Sequence, residues 1–292
     1  MIRLFETRFT RRRRLSRVRC LACDLDGTLL SSNNTIPDSV LSAIEDARGQ
    51  GIRIILASGR PDGFVRKYAR EIGSTSPVIS LNGAMVKDVD GYVLSESHLP
   101  PEVASIAQSV GSMPSAAGLT WSLFTSDGTL SLDEKPTLPR YLRSDAGEFR
   151  CVSDLRPYHS LAVLLCAGGP YRAIQQLSVA IASRFGNRIR RAMYQSGGGG
   201  DVYYLEICGN RVNKALGLKT ALESLGIDRK ETAAIGDYSN DLEMCKFAGV
   251  SAAMRNGFKD LKTVADFVTR FDNNDGGVGE FLRMMLDSRN HK

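Results

Sequence analysis

The 292-residue sequence predicts an α/β protein, a doubly wound parallel sheet core with an inserted α+β domain. Three observations carry that expectation. From about residue 18, short apolar runs alternate with amphipathic helical stretches, the pattern of a parallel sheet covered by helices. The same rhythm resumes after residue 205. Between the two halves the texture changes to hairpin turns and proline-bearing linkers. At a soft prior of roughly 150 residues per domain, the length suits two domains.

Taken in order, residues 1–17 stand apart by charge. Up to residue 18 the chain carries Arg3, Arg8, Arg11, Arg12, Arg13, Arg14 and Arg17 against Glu6, which accounts for the whole net charge of +6. This segment reads as a basic arm, disordered or a targeting segment. The body beyond it is neutral, which gives no reason to propose nucleic acid as a partner. No apolar run approaches the roughly 20 residues of a spanning helix, so no membrane association is expected. The expected location is cytoplasmic, or an organelle if residues 1–17 act as a targeting segment. Oligomeric state is not legible.

Arg17 to Cys23 reads as the first strand. Pro37 suits a helix's first turn, and Val40, Leu41, Ile44 and Ala47 follow at helical spacing until Gly49 and Gly51. Ile52 to Ala57 is a second strand. Phe64, Val65, Tyr68, Ala69 and Ile72 form a second helical stripe ending at Gly73, and Val78 to Leu81 is a third strand. Residues 18–85 and 206–292 are assigned to the core, and residues 86–205 to the insertion. There Gly91-Tyr92 and Ser126-Asp127-Gly128-Thr129 read as hairpin turns. Gly197 to Gly200 reads as a surface loop, a flexible hairpin or part of a hinge. In the second half of the core, Lys214 to Leu225 is a helix closed by Gly226; Ala233 to Gly236, Val250 to Met254 and Phe267 to Thr269 are short strands.

The six cysteines are scattered, and reduced buried thiols are expected. Cys20 and Cys23 share a strand, where an offset of three points them to opposite faces and argues against a joint metal or redox role.

Chemistry concentrates where strands end. Asp24-Leu25-Asp26-Gly27-Thr28 follows the first strand, and in an open parallel sheet ligands bind beyond the carboxyl ends of the strands. Asp24 and Asp26, two apart on extended chain, project to the same side. Two such carboxylates repel unless a cation lies between them or one holds a proton. The alternative is a plain Asp-Gly turn. Ser58-Gly59-Arg60 follows the second strand and precedes a helix, a geometry that suits an oxyanion but also fits a simple helix cap. Lys214 opens a helix, where the macrodipole mildly disfavours it and an anionic partner would rationalise it; a solvated lysine is the alternative. Asp237 leaves its strand as Asp24 does, and together they would suit Mg²⁺. Asn240 and Asp241 follow, also readable as a helix cap.

These four segments in this order resemble the signature motifs of the haloacid dehalogenase-like hydrolase superfamily, and in detail its Cof-type phosphatases with a type IIB cap. Leu81-Asn82-Gly83-Ala84, residues 248–257 and Asp275-Gly276-Gly277-Val278 extend the resemblance to nearly the whole chain from Val18. The resemblance implies a Rossmann-like core, an inserted cap and a Mg²⁺-dependent phosphatase of a small phosphorylated metabolite. It further implies that Asp24 forms an aspartyl-phosphate and that Asp26 acts as acid and then base, with Thr28 supporting it. Ser58, Lys214 and Asn240 would contact phosphate, and Gly59, Arg60, Asn82 and Gly83 would shape the site. The metal would be held by Asp24, the Asp26 carbonyl and Asp237, with Asp241 orienting Lys214 or a metal-bound water. A phosphomutase and a catalytically silent binding protein are the alternatives; a dehalogenase would need no metal. The chain departs from many relatives at Asn213-Lys214-Ala215, where they carry Ser-Lys-Gly.

Overall fold

The computed structural model describes residues 8–143, 149–197 and 200–290, with side chains described from residue 12. Contacts divide the chain into two compact units. One comprises the residues up to Ser58, Val65–Leu94 and Asn213 onward; the other comprises Gly59–Phe64 and Ser95–Val212.

The chain begins with α1 (Arg8–Leu15), β1 (Cys20–Cys23), α2 (Asp38–Gly49), β2 (Arg53–Leu56), α3 (Asp62–Glu71), β3 (Val78–Ser80), β4 (Met85–Lys87) and β5 (Val93–Glu96). The middle holds α4 (Pro101–Gly111), β6 (Thr120–Thr125), β7 (Gly128–Ser131), β8 (Phe149–Cys151), β9 (Leu164–Gly169), α5 (Tyr171–Phe185), β10 (Ile189–Gln195) and β11 (Tyr203–Gly209). It ends with α6 (Lys214–Leu225), β12 (Thr232–Gly236), α7 (Leu242–Phe247), β13 (Val250–Ala253), α8 (Lys259–Val264), β14 (Phe267–Val268) and α9 (Gly277–Arg289).

In the first unit five parallel strands run in the order β14-β13-β12-β1-β2. A parallel bridge from Ala57 to Ile79 carries the order on toward β3. All four residues of β1 are buried, as a central strand covered on both faces requires. Cys20, Ala22, Ile55 and Ala234 pack with Leu218, Leu222, Met244 and Cys245 of α6 and α7. Cys20 therefore faces those helices, and an offset of three turns Cys23 the other way. Every cysteine is a free thiol.

The second unit is a six-stranded sheet, β10-β11-β9-β6-β7-β8, antiparallel except between β7 and β8. Its core joins Val103 and Ala107 of α4 and Ile174, Leu177 and Ile181 of α5 to Leu123, Leu165, Leu205 and Ile207 of the strands. Asp127 sits in the β6–β7 hairpin turn, where Thr125 pairs with Gly128. The β10–β11 hairpin spans the glycine run, of which Gly198 and Gly199 lie outside the described residues.

Three features differ from the sequence expectation. The basic arm is helical from Arg8 to Leu15 instead of disordered. Leu15 is buried, and Arg14 is fixed by the Asp266 carboxylate at 2.9 Å and by the Gly249 carbonyl. The targeting reading rests in part on residues 1–7, outside the described residues. The first strand starts at Cys20 because Arg17 and Val18 still bond back to Arg14 and Leu15. Lastly, β4 pairs with β3 in the first unit and β11 completes the second unit's sheet, so contacts draw the divisions at Ser95 and Val212 instead of 86 and 205.

Candidate active site

The winding of the sheet reverses between β1 and β12, since β2 and β3 extend to one side of that pair and β13 and β14 to the other. Loops leaving two such strands diverge and open a crevice at their carboxyl ends. Asp24 follows β1 and Asp237 follows β12, and the Asp24 N–H donates to the Ile235 carbonyl at 3.1 Å.

Lys214, the first residue of α6, enters this crevice from a third direction. Asn213 fixes its backbone by capping the helix, its side-chain oxygen accepting from the Leu216 N–H at 2.9 Å. The wholly buried ammonium donates to Asp24 Oδ1 at 2.5 Å and to Asp241 Oδ1 at 2.7 Å. Asp241 Oδ2 accepts from the N–H groups of Asp237 and Tyr238, both at 3.0 Å. Both Asp241 oxygens are thus engaged, which suits it to orienting Lys214. The Thr28 hydroxyl donates to Asp237 Oδ1 at 3.2 Å. Gly27 between them has φ +76°, and a Cβ there would lie 2.4 Å from Asp237 Oδ2. Only glycine combines that backbone with that approach.

The charge balance is unfavourable as it stands. Burial pushes the Asp24 carboxyl well above the usual range, and Asp241 and Asp237 add to the effect while Lys214 opposes it. Burial, with Asp241 as a further cause, raises Asp237 to about 6. Burial alone would depress the Lys214 ammonium, but Asp24 and Asp241 outweigh it and keep it protonated. One oxygen from each of Asp24, Asp237 and Asp241 lies within 4.8 Å of the others. Three carboxylates against one ammonium leave room for a second cation, and hard oxygen donors fit a divalent ion such as Mg²⁺. The residues present fit the metal that the motifs imply.

Haloacid dehalogenase-like hydrolase is the family model that matches, over residues 21–282. The chain belongs to that family. It is 26% identical over 268 residues to the Bacillus subtilis 5-amino-6-(5-phospho-D-ribitylamino)uracil phosphatase, covering 90% of this chain and 96% of that protein. A haloacid dehalogenase-like hydrolase from Bacteroides thetaiotaomicron superposes with a TM-score of 0.76 at 27% identity, covering 91% of this chain and 98% of the other. A Thermotoga maritima protein gives 0.77 at 26% identity, over 91% and 97%. Family and named relatives make this haloacid dehalogenase-like hydrolase an enzyme of the phosphatase class.

Of the remaining motif residues of the hydrolase, Asp26, Ser58, Asn82, Gly83 and Asn240 belong to the first unit. Asp26 is exposed and bridges to Leu30. Ser58 is buried, and its carbonyl accepts from the Asn82 N–H at 2.9 Å. Asn240 Nδ2 donates to Asn82 Oδ1 at 2.9 Å, and Gly83 lies against the Asn213 carbonyl. Leu81 and Asn82 both carry positive φ, +48° and +58°; for a buried leucine this is a strained conformation, held by the bonds just named. Gly59 and Arg60 group with the second unit, where the Arg60 guanidinium stacks 3.9 Å from the centre of the Phe64 ring. Asn256 falls within the 248–257 stretch, and nothing in the sequence singles it out there. Its amide donates to the Gly27 carbonyl at 2.7 Å and braces the loop carrying Asp26.

No helix among the described residues is long and apolar enough to cross a membrane.

Proposed function

We propose that the protein is a Mg²⁺-dependent phosphatase that hydrolyses a small phosphorylated metabolite through an aspartyl-phosphate on Asp24. The observation that carries this reading is the Lys214 ammonium set between Asp24 and Asp241, with Asp237 beside them. A carboxylate so held has one oxygen fixed by the lysine, which orients it for attack on phosphorus.

In the first step an Asp24 oxygen bonds to phosphorus, the ester P–O bond breaks, and the leaving oxygen takes a proton from Asp26. In the second, Asp26 accepts a proton from a water that attacks phosphorus, releasing inorganic phosphate and restoring Asp24. Splitting the reaction makes two easier displacements. Lys214 neutralises the phosphoryl oxygens and is oriented by Asp241; Ser58 and Asn240 donate to them. Asp24, Asp237 and the Asp26 carbonyl would hold Mg²⁺, which supplies charge neutralisation when bound. The second unit is assigned as the cap, and Asn82 and Gly83 shape the site. The named activity of the Bacillus subtilis relative supports a small phosphomonoester as the substrate class. Cytoplasmic location goes with that substrate.

The test is a phosphate-release screen over about a hundred phosphorylated metabolites, with the specificity ratio read as kcat/KM. Release from a small subset, abolished by chelator and restored by Mg²⁺, is expected. Release that persists in chelator, or from none of the compounds, contradicts the proposal.

A further inference from the structure

At the opposite end of the first unit's sheet lies a cavity of about 240 Å³, lined by Arg48, Gly51, Arg53, Ser74, Thr75 and Ser76 together with Ile52 and Ile54. Arg53 opens β2 and Ser74 to Ser76 precede β3, whereas the catalytic residues follow the carboxyl ends of their strands. The space equals roughly eight waters at ~30 Å³ each and is below the ~300 Å³ of a drug-sized pocket, so it suits a small ligand.

Its chemistry is one-sided. The lining holds two guanidinium groups, three hydroxyls and no carboxylate. Arg53 Nη1 donates to Thr75 Oγ1 at 2.7 Å, which leaves the Thr75 hydrogen to point elsewhere. The Arg48 guanidinium lies so near Gly73, which has φ +60°, that a Cβ there would sit 2.6 Å from Nη1. Ser74 shapes the loop by donating to the Ile54 carbonyl and accepting from the Ser76 N–H. Ser76 is only 2% exposed, yet its hydroxyl has no hydrogen-bond partner among the described residues. That oxygen is itself closed to solvent, so Ser76 lines the cavity without presenting its hydroxyl to it.

Arg48 sits in the last turn of α2, where a cation offsets the helix dipole. That accounts for Arg48 alone. The α2 and α3 C-termini each present about half a negative charge, against two full positive charges from Arg48 and Arg53. The balance favours an anion.

We propose that this cavity binds a small oxyanion of the phosphate type, independently of the catalytic cluster, through Arg48, Arg53 and Thr75. The proposal does not rest on the phosphatase reading. It is tested by following backbone amide resonances of the full-length protein at constant ionic strength during titration with inorganic phosphate and, separately, methylphosphonate. Saturable shifts at Gly51, Thr75 and Ser76 are expected. Response to both ligands assigns the site to the phosphoryl end of an organic ligand, and response to phosphate alone assigns it to the free ion. Arg48→Gln with Arg53→Gln should weaken binding at these amides by roughly tenfold or more, the scale of a charge-assisted hydrogen bond. Thr75→Val, a change at an exposed position that keeps the fold, should weaken it roughly threefold. Both variants should retain wild-type turnover. Shifts confined to residues around Asp24 and Lys214, equal shifts with chloride, or affinity unchanged in both variants would overturn the proposal.

Discussion

Lys214 and Asp24 stand 190 residues apart in sequence, yet the lysine ammonium donates to the Asp24 carboxylate at 2.5 Å in a setting where Lys214 has no solvent exposure. The pair fixes the orientation of the Asp24 carboxylate and joins α6 to the end of β1. Replacing Lys214 leaves the buried Asp24 and Asp241 carboxylates without their counterion. Lys214→Met is therefore expected to lower unfolding free energy by about 3–5 kcal/mol at neutral pH and to abolish turnover. The loss of stability should shrink as pH falls, because the unpaired carboxylates then take up protons. Urea unfolding across pH measures this, and stability equal to wild type at neutral pH would contradict the ion-pair account.

Metal binding should show as stabilisation. An ion held only by the folded state raises stability by about 2.7 kcal/mol at a hundred times its Kd. The shift in Tm with Mg²⁺ should vanish in Asp237→Asn. It should also fade in wild type as pH falls through about 6, where Asp237 takes a proton that competes with the metal. A Mg²⁺ shift of equal size in Asp237→Asn would reject Asp237 as a ligand.

Gly27 tests the close approach of the loops that follow β1 and β12. Gly27→Ala places a methyl where Asp237 Oδ2 now lies, on a backbone that disfavours side chains. A displacement of about 1 Å is expected to cost turnover on the order of a hundredfold, with the fold retained by circular dichroism. Near-normal turnover would show that the loops adjust freely.

Glu206 gives a second pH signature. In the second unit its carboxylate accepts from the hydroxyls of Tyr141 and Tyr194, and burial raises its pKa from 4.5 to about 7. The folded state thus binds this proton more tightly than the unfolded chain. The stabilisation is complete below pH 4.5 and is lost as pH rises through 7, at most about 3 kcal/mol over that window. Glu206→Gln keeps an acceptor for both phenols and removes the charge. It should flatten stability against pH between 5 and 8 and stabilise the protein at pH 8. An unchanged slope would assign the titration to another group.

Much of the fold and site was legible because strand ends and chemistry coincide in the sequence. Asp24, Ser58 and Asp237 each follow a buried apolar run, so their positions at the carboxyl edge could be read from periodicity, and Lys214 to Leu225 matches α6 to the residue. Pairings across distance were not legible. Nothing local to Thr28 tells that its hydroxyl serves Asp237, and nothing local to Asn256 tells that it braces Gly27. The arginines of α1 masked a helix because composition reads as a disordered arm, while the buried Leu15 and the Arg14–Asp266 pair that anchor it involve partners far along the chain. The stripe that α9 buries, Val278, Phe281, Leu282, Met285 and Leu286, recurs at helical spacing, so this helix is also a local feature of the sequence.

The identity of the phosphoryl acceptor is tested most directly by trapping. Wild-type enzyme turning over an activated phosphomonoester such as 4-nitrophenyl phosphate with Mg²⁺ is quenched with borohydride, which reduces an acyl phosphate to the alcohol, and residue 24 is read by peptide mass spectrometry. Homoserine at position 24, absent from enzyme without substrate, and no turnover in Asp24→Ala are predicted. Turnover by Asp24→Ala at a substantial fraction of the wild-type rate, or reduction at a different carboxylate, would contradict the assignment.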